Sequence, residues 1–170
     1  MHIRRAIPED AGAIAAIHVA SSHAAYEGLL PEEFLRAFTL ERRQATWHQI
    51  LTTRDGDVWI AQEGDSDVGW ICVGPSRDAH AEPTTAELRA MYIDPQAWRQ
   101  GIGRALWAHA ELFLRAAHYS RVTLWVFEEN ARAASFYRSV GFVRDPGHTI
   151  TRARGGVEAV EVRLQRDLGG

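Results

Sequence analysis

The chain has 170 residues, 46% hydrophobic and 24% charged, which is the size and balance of one soluble globular domain spanning 1–170. Its formal net charge is −3 with the basic residues scattered, which argues against a nucleic-acid partner, and no apolar run of about 18 residues is present to make a transmembrane helix. Cys72 is the only cysteine, which excludes an internal disulfide and a cysteine metal cluster; with no apolar leader near Met1, a cytoplasmic location is expected.

His2–Ala6 reads as a first short strand. Pro8, followed by Glu9 and Asp10, suits a helix start, and Ile14, Ile17 and Ala24 carry helical spacing to about residue 24. Pro31 opens a second helical region, whose apolar face runs through Phe34, Leu35, Phe38, Trp47, Ile50 and Leu51. Residues 57–62 and 67–73 are β-rich and joined by a polar turn, a hairpin signal. A polar loop leads to a further strand over 84–93, ended by Asp94-Pro95. From Gly101 the pattern turns helical, with Leu106, Ala110, Phe113 and Ala117 on one face. Residues 121–127, RVTLWVF, are a continuous apolar run suited to a buried strand. Asn130 can cap a last helix lined by Ala133, Phe136, Tyr137 and Val140, with Gly141 placed to end it. The tail reads as two strands around Gly155-Gly156.

The predicted order is β-α-α-β-β-β-α-β-α-β-β, an α/β fold with one mixed sheet. The strand–helix–strand unit 84–127 is expected to be a parallel crossover, with the other pairings mostly antiparallel.

The stretch PQAWRQGIGRALW, 95–107, sets two glycines between a strand and a helix. Glycines let backbone approach a ligand closely, and free amides at a helix start receive anions. Gly101-Ile102-Gly103 is not a dinucleotide fingerprint, because Leu106 stands where the third glycine belongs. It is not a P-loop either: all 19 basic residues are arginines and the chain has no lysine, which also removes Schiff-base chemistry. Arg99 and Arg104 add positive charge, and a pyrophosphate would suit the turn.

A second segment, NARAASFYRSVGF, begins at Asn130. Together the two segments resemble the GNAT superfamily of acetyl-CoA-dependent N-acetyltransferases. The family's phosphate motif, Arg/Gln-x-x-Gly-x-Gly/Ala, matches at Gly101 and Gly103, after the strand end at Ile93 and Pro95. Its second signature is complete at Asn130, Ala133, Phe136, Tyr137, Gly141 and Phe142. The departure is Trp98, which stands at the motif's Arg/Gln position, so no such side-chain contact to phosphate is expected there.

The resemblance implies a GNAT-like fold and direct acetyl transfer from acetyl-CoA to a primary amine of a small molecule or peptide. The same-fold alternative is a protein N-terminal or side-chain acetyltransferase; the alternative of another class is a non-catalytic acyl-CoA-binding module. It implies that the backbone at Met91 and Ile93 holds the pantetheine arm. The turn from Gln100 through Gly101, Gly103, Arg104 and Ala105 would hold the pyrophosphate, and Asn130 would contact the cofactor's pantetheine arm or orient the next helix. Tyr137 is the candidate general acid. Glu87 is the candidate base, directly or through water; the competing reading is an ion pair with Arg89, since alternation places Glu87, Arg89, Met91 and Ile93 on one face. Tyr26 is a candidate substrate contact. No metal is expected, because His18, His23, His80 and His109 include no i,i+4 pair. Trp59, Trp70 and Trp125 are expected in the core. A homodimer is compatible with these readings.

Overall fold

The computed structural model describes residues 1–169. Its strands are β1 (His2–Arg5), β2 (Asp57–Glu63), β3 (Ser66–Pro75), β4 (Thr85–Ile93), β5 (Arg121–Phe127), β6 (Val143–Arg154) and β7 (Val157–Asp167). Its helices are α1 (Ala11–Tyr26), α2 (Glu32–Arg36), α3 (Leu40–Thr53), α4 (Ile102–Ala116) and α5 (Ala131–Ser139). The strands form one seven-stranded sheet in the order β1-β2-β3-β4-β5-β7-β6. Only β4 and β5 pair in parallel; every other pair is antiparallel.

Two boundaries differ from the sequence reading. Pro8–Asp10 forms a single 3-10 turn, and α1 follows it. The second helical region is two helices, because Thr39 interrupts it in extended conformation and caps α3 by accepting from the Arg42 amide at 3.4 Å. The continuous apolar spacing from Phe34 to Leu51 concealed that break.

Both faces of the central sheet are covered, and strict alternation divides the residues between them. On β2 and β3, Val58, Ile60, Trp70 and Cys72 face α1 and α3, where they meet Ile14, Ile17, Trp47 and Leu51. The intervening Trp59, Ala61, Ile71 and Val73 face α4, where they meet Ile102, Leu106, Trp107, Ala110 and Leu114. Leu114 and Trp107 complete the buried face of α4; Ala117 is exposed. The Trp70 indole is fully buried and donates to the Ile14 carbonyl at 3.1 Å, tying α1 to the sheet. The Trp47 indole donates to His18 Nδ1 at 3.1 Å, so that nitrogen carries no proton.

A bulge in β4 changes which residues share a face. Cys72 is opposite Ala90 but Val73 is opposite Leu88, which leaves Arg89 as the extra residue. Ala86 and Leu88 therefore join Met91 and Ile93 on the α4 side, while Ala90 and Tyr92 face α1. The expected common face of Glu87, Arg89, Met91 and Ile93 does not form. Nor does the Glu87–Arg89 ion pair: Arg89 instead reaches the Asp55 carboxylate at 2.8 Å and the Pro75 carbonyl at 3.1 Å.

The sheet opens where β4 and β5 part. Their ladder covers only Thr85–Glu87 against Arg121–Thr123. Beyond it β4 continues along β3 to Ile93, and β5 continues along β7 to Phe127. The backbone groups of β4 that point away from β3 after Glu87 have no ladder partner, and a cleft begins there.

Candidate active site

The cleft between the parted strands has a volume of about 950 Å³. Leu88–Ile93 form one wall and Trp125–Phe127 the other, with the turn before α4 at one end and α2 at the other. Trp125 thus lines the cleft instead of the core: its indole donates to Asp78 at 2.8 Å. The apolar run 121–127 suggested burial on both faces, but the splay uncovers one side of its outer half.

At the α4 end, Gly101 has φ +87 and caps the helix. A Cβ there would meet nothing within 4 Å, so glycine is required by backbone conformation and not by space. Gly103 is a close-approach position: a Cβ would come within 3.2 Å of the Phe136 ring on α5. The first intrahelical bond at this end is donated by the Ala105 amide to Gly101. The amides of Ile102, Gly103 and Arg104 precede it and are open to an anion. Ala105 therefore belongs to the helix ladder, contrary to expectation, and does not line the cleft. Gln100 is exposed, does not line it either, and folds its side chain back on the Gln96 carbonyl at 3.1 Å.

Trp98 and Arg132, which sequence reasoning left without a role, meet here. The Trp98 indole donates to the Ile93 carbonyl at 2.8 Å, and the Arg132 guanidinium stacks 3.9 Å from the Trp98 ring centroid. The Ile93 carbonyl therefore already accepts one hydrogen bond from within the chain. Arg99, Arg104 and Arg132 all line this end. Open amides, three cations and a half-open strand edge fit a long ligand with phosphate at one end.

In the middle of the cleft, Asn130 is buried and accepts from the Ala133 amide at 3.0 Å, capping α5. About two turns later Tyr137 is buried with its ring edge-on to Phe136 and Phe142. Burial pushes the Tyr137 hydroxyl well above the usual tyrosine range. Burial also raises Tyr92 and Tyr26, and all three tyrosines line the same space. The structure brings Tyr26, Met91, Ile93, Gly101, Gly103, Arg104, Asn130 and Tyr137 to this one cleft.

Glu87 lines the cleft and is only 4% exposed. Both carboxylate oxygens receive Arg77, through its Nη2 at 2.6 Å, its Nε at 3.0 Å and its backbone amide at 3.1 Å. Arg77 sits in the polar loop after β3, where no periodicity or motif could single it out. Among the described residues no group of His, Cys, Asp and Glu is arranged to hold a metal, and no helix is long and apolar enough to cross a membrane.

Residues 23–142 match the model of the acetyltransferase (GNAT) family. The chain belongs to the GNAT family. It is 33% identical over 129 residues to the uncharacterized N-acetyltransferase YuaI of Bacillus subtilis, covering 75% of this chain and 72% of that one. The fold is that of solved GNAT structures. The PaiA N-acetyltransferase of Thermoplasma acidophilum, in complex with coenzyme A, superposes with a TM-score of 0.77 at 19% identity, covering 98% of both chains. YncA of Salmonella typhimurium, with its cofactor acetyl-CoA, superposes with a TM-score of 0.75 at 21% identity, covering 100% of this GNAT chain and 95% of that one. The protein is an acyltransferase of the N-acetyltransferase type.

Proposed function

We propose that this chain, acting as one cytoplasmic domain, moves an acetyl group directly from acetyl-CoA to a primary amine of a small molecule or peptide. The observation that carries this reading is the single cleft that joins the open β4 edge, the Gly101 turn and the Tyr137 hydroxyl.

When bound, acetyl-CoA supplies an activated thioester. The chain's own groups do the rest. The amides of Ile102, Gly103 and Arg104 receive the pyrophosphate, with the glycines at 101 and 103 allowing the approach. The free edge of β4 over Met91–Ile93 aligns the pantetheine arm and supplies an amide to the carbonyl oxygen as it gains charge. Asn130, by holding the start of α5, sets the position of Tyr137. Transfer forms a C–N bond and breaks a C–S bond. Tyr137 Oη gives a proton to the departing sulfur and regains one that the amine releases through water, with Glu87 as the accepting carboxylate on that path. Glu87 works through water because Arg77 occupies both of its oxygens. Tyr26 borders the acceptor.

Arg132, held flat by Trp98, takes the place of the family's side chain at position 98 and faces the phosphates. Trp98→Ala and Arg132→Ala should each raise the KM for acetyl-CoA about tenfold, with kcat within about twofold of wild type. The double variant should be little worse than either single one, because the two side chains act as a unit. Steady-state kinetics with varied acetyl-CoA checks both points; additive losses would separate the residues.

The reading as a whole is tested by incubating the purified protein with acetyl-CoA and a panel of amines while following release of free thiol. Amine-dependent release with N-acetylated product supports it. Binding of acetyl-CoA with no acetylation of any amine would leave a non-catalytic acyl-CoA-binding module.

A further inference from the structure

The acceptor end of the cleft has a charge pattern of its own. Glu161 of β7 offers one carboxylate to two guanidiniums of β6. Arg154 Nη2 reaches it at 2.7 Å and Arg152 Nε at 3.2 Å. The trio therefore keeps one net positive charge. Of the other acidic groups at this end, Glu87 pairs with Arg77 at 2.6 Å, and Asp78, 2.9 Å from Arg163, shares that guanidinium with Asp145, 2.6 Å from it. Guanidinium donors in a planar fork suit a carboxylate. Among the described residues, Arg154 Nη1 and Nε and both Nη atoms of Arg152 have no hydrogen-bond acceptor.

Two further observations place these donors where an acceptor would lie. Arg152, Arg154 and Glu161 line the cleft together with Tyr26 and Asn130. The surrounding wall is aromatic and apolar: Phe34, Phe38, Trp125, Phe127 and Ile150 line it with Tyr26. The Arg154 guanidinium lies 6.0 Å above the Phe34 ring. A carboxylate would meet the unfilled donors of Arg152 and Arg154 here, and a purely polar acceptor would meet rings.

We infer that the acceptor is an amine that also carries a carboxylate and an apolar group, an α-amino acid or a short peptide's equivalent. Arg154 and Arg152 receive its carboxylate, and the aromatic wall receives its side chain. This rests on the acetyltransferase reading above. It assigns Arg154 and Arg152 as specificity-determining residues, with Glu161 holding both in place.

The test compares the proteinogenic amino acids with their own carboxamides and with spermidine, following thiol release from acetyl-CoA. Apolar and aromatic amino acids should exceed their carboxamides in kcat/KM by about tenfold or more, and spermidine should be poorer than either. Arg154→Gln should bring the acid-to-amide ratio toward one, mainly through KM. The variant's thermal shift with acetyl-CoA, if equal to wild type, shows that its fold and cofactor end are intact. Carboxamides or spermidine used as well as the acids would overturn the inference and leave the acetyltransferase reading standing. So would an acid-to-amide ratio that Arg154→Gln leaves unchanged. A panel inert throughout while acetyl-CoA still binds would also overturn the inference, and acetylation of any other amine would then be what keeps the acetyltransferase reading. Absence of any acetyl-CoA binding would take down both.

Discussion

Tyr137→Phe is expected to lower kcat by roughly 10²- to 10⁴-fold, the range for a positioned proton donor, while acetyl-CoA binds about as well as before. The substitution suits the question because the ring packs edge-on against Phe136 and Phe142, and phenylalanine keeps those contacts. Only the hydroxyl is lost. Burial raises the pKa of that hydroxyl, so at neutral pH it is protonated and can donate. Raising the pH through 8 should therefore not unload the acid, and any loss of rate with a midpoint there would have another source. Steady-state turnover paired with calorimetric titration of acetyl-CoA separates the two effects. Unchanged kcat would make Tyr137 a packing residue.

The second large effect is on stability in acid. His18 is buried among Trp47, Trp70 and Tyr92. Burial, and after it the charge of Arg43, brings its pKa down from 6.5 to about 4. The unfolded chain takes up this proton near 6.5 and the folded chain only near 4. The stability is thus fully present above 6.5 and is lost as pH falls through that window. Between pH 7 and pH 4 the loss from this one group is about 3 kcal/mol. Protonating Nδ1 also removes the acceptor of the Trp47 indole. His18→Gln keeps an acceptor for Trp47 and does not titrate. Urea unfolding across this pH range should show a shallower acid loss in the variant. Equal slopes in the two proteins would mean that His18 does not carry the effect.

Much of the fold was legible in local sequence. Asn130 before an apolar helix face and Gly155-Gly156 between alternating runs specify a cap and a turn by backbone chemistry alone. Both form, the two glycines with φ +60 and +85. The Gly101 turn was legible for the same reason. What escaped notice depends on residues far apart or on a shift of a single position. The β4 bulge at Arg89 alters no composition, yet it sets Glu87 and Met91 on opposite faces. The Arg77–Glu87 clamp joins a patternless loop to a strand across ten positions. Arg132 and Trp98 lie 34 positions apart and meet only because α4 and α5 pack closely at Gly103. Trp98 looked like an irregularity in a phosphate motif; its indole anchors the end of β4 and its ring carries an arginine.

The proposed role of the cleft opened by β4 and β5 is to take acetyl-CoA with its phosphates at the Gly101 turn. Calorimetric titration of acetyl-CoA into the wild-type protein and Arg132→Ala tests it most directly. The expected result is saturable one-to-one binding in the micromolar range, weakened about tenfold in the variant. No heat and no melting-temperature shift at millimolar acetyl-CoA, or equal affinity in both proteins, would contradict it.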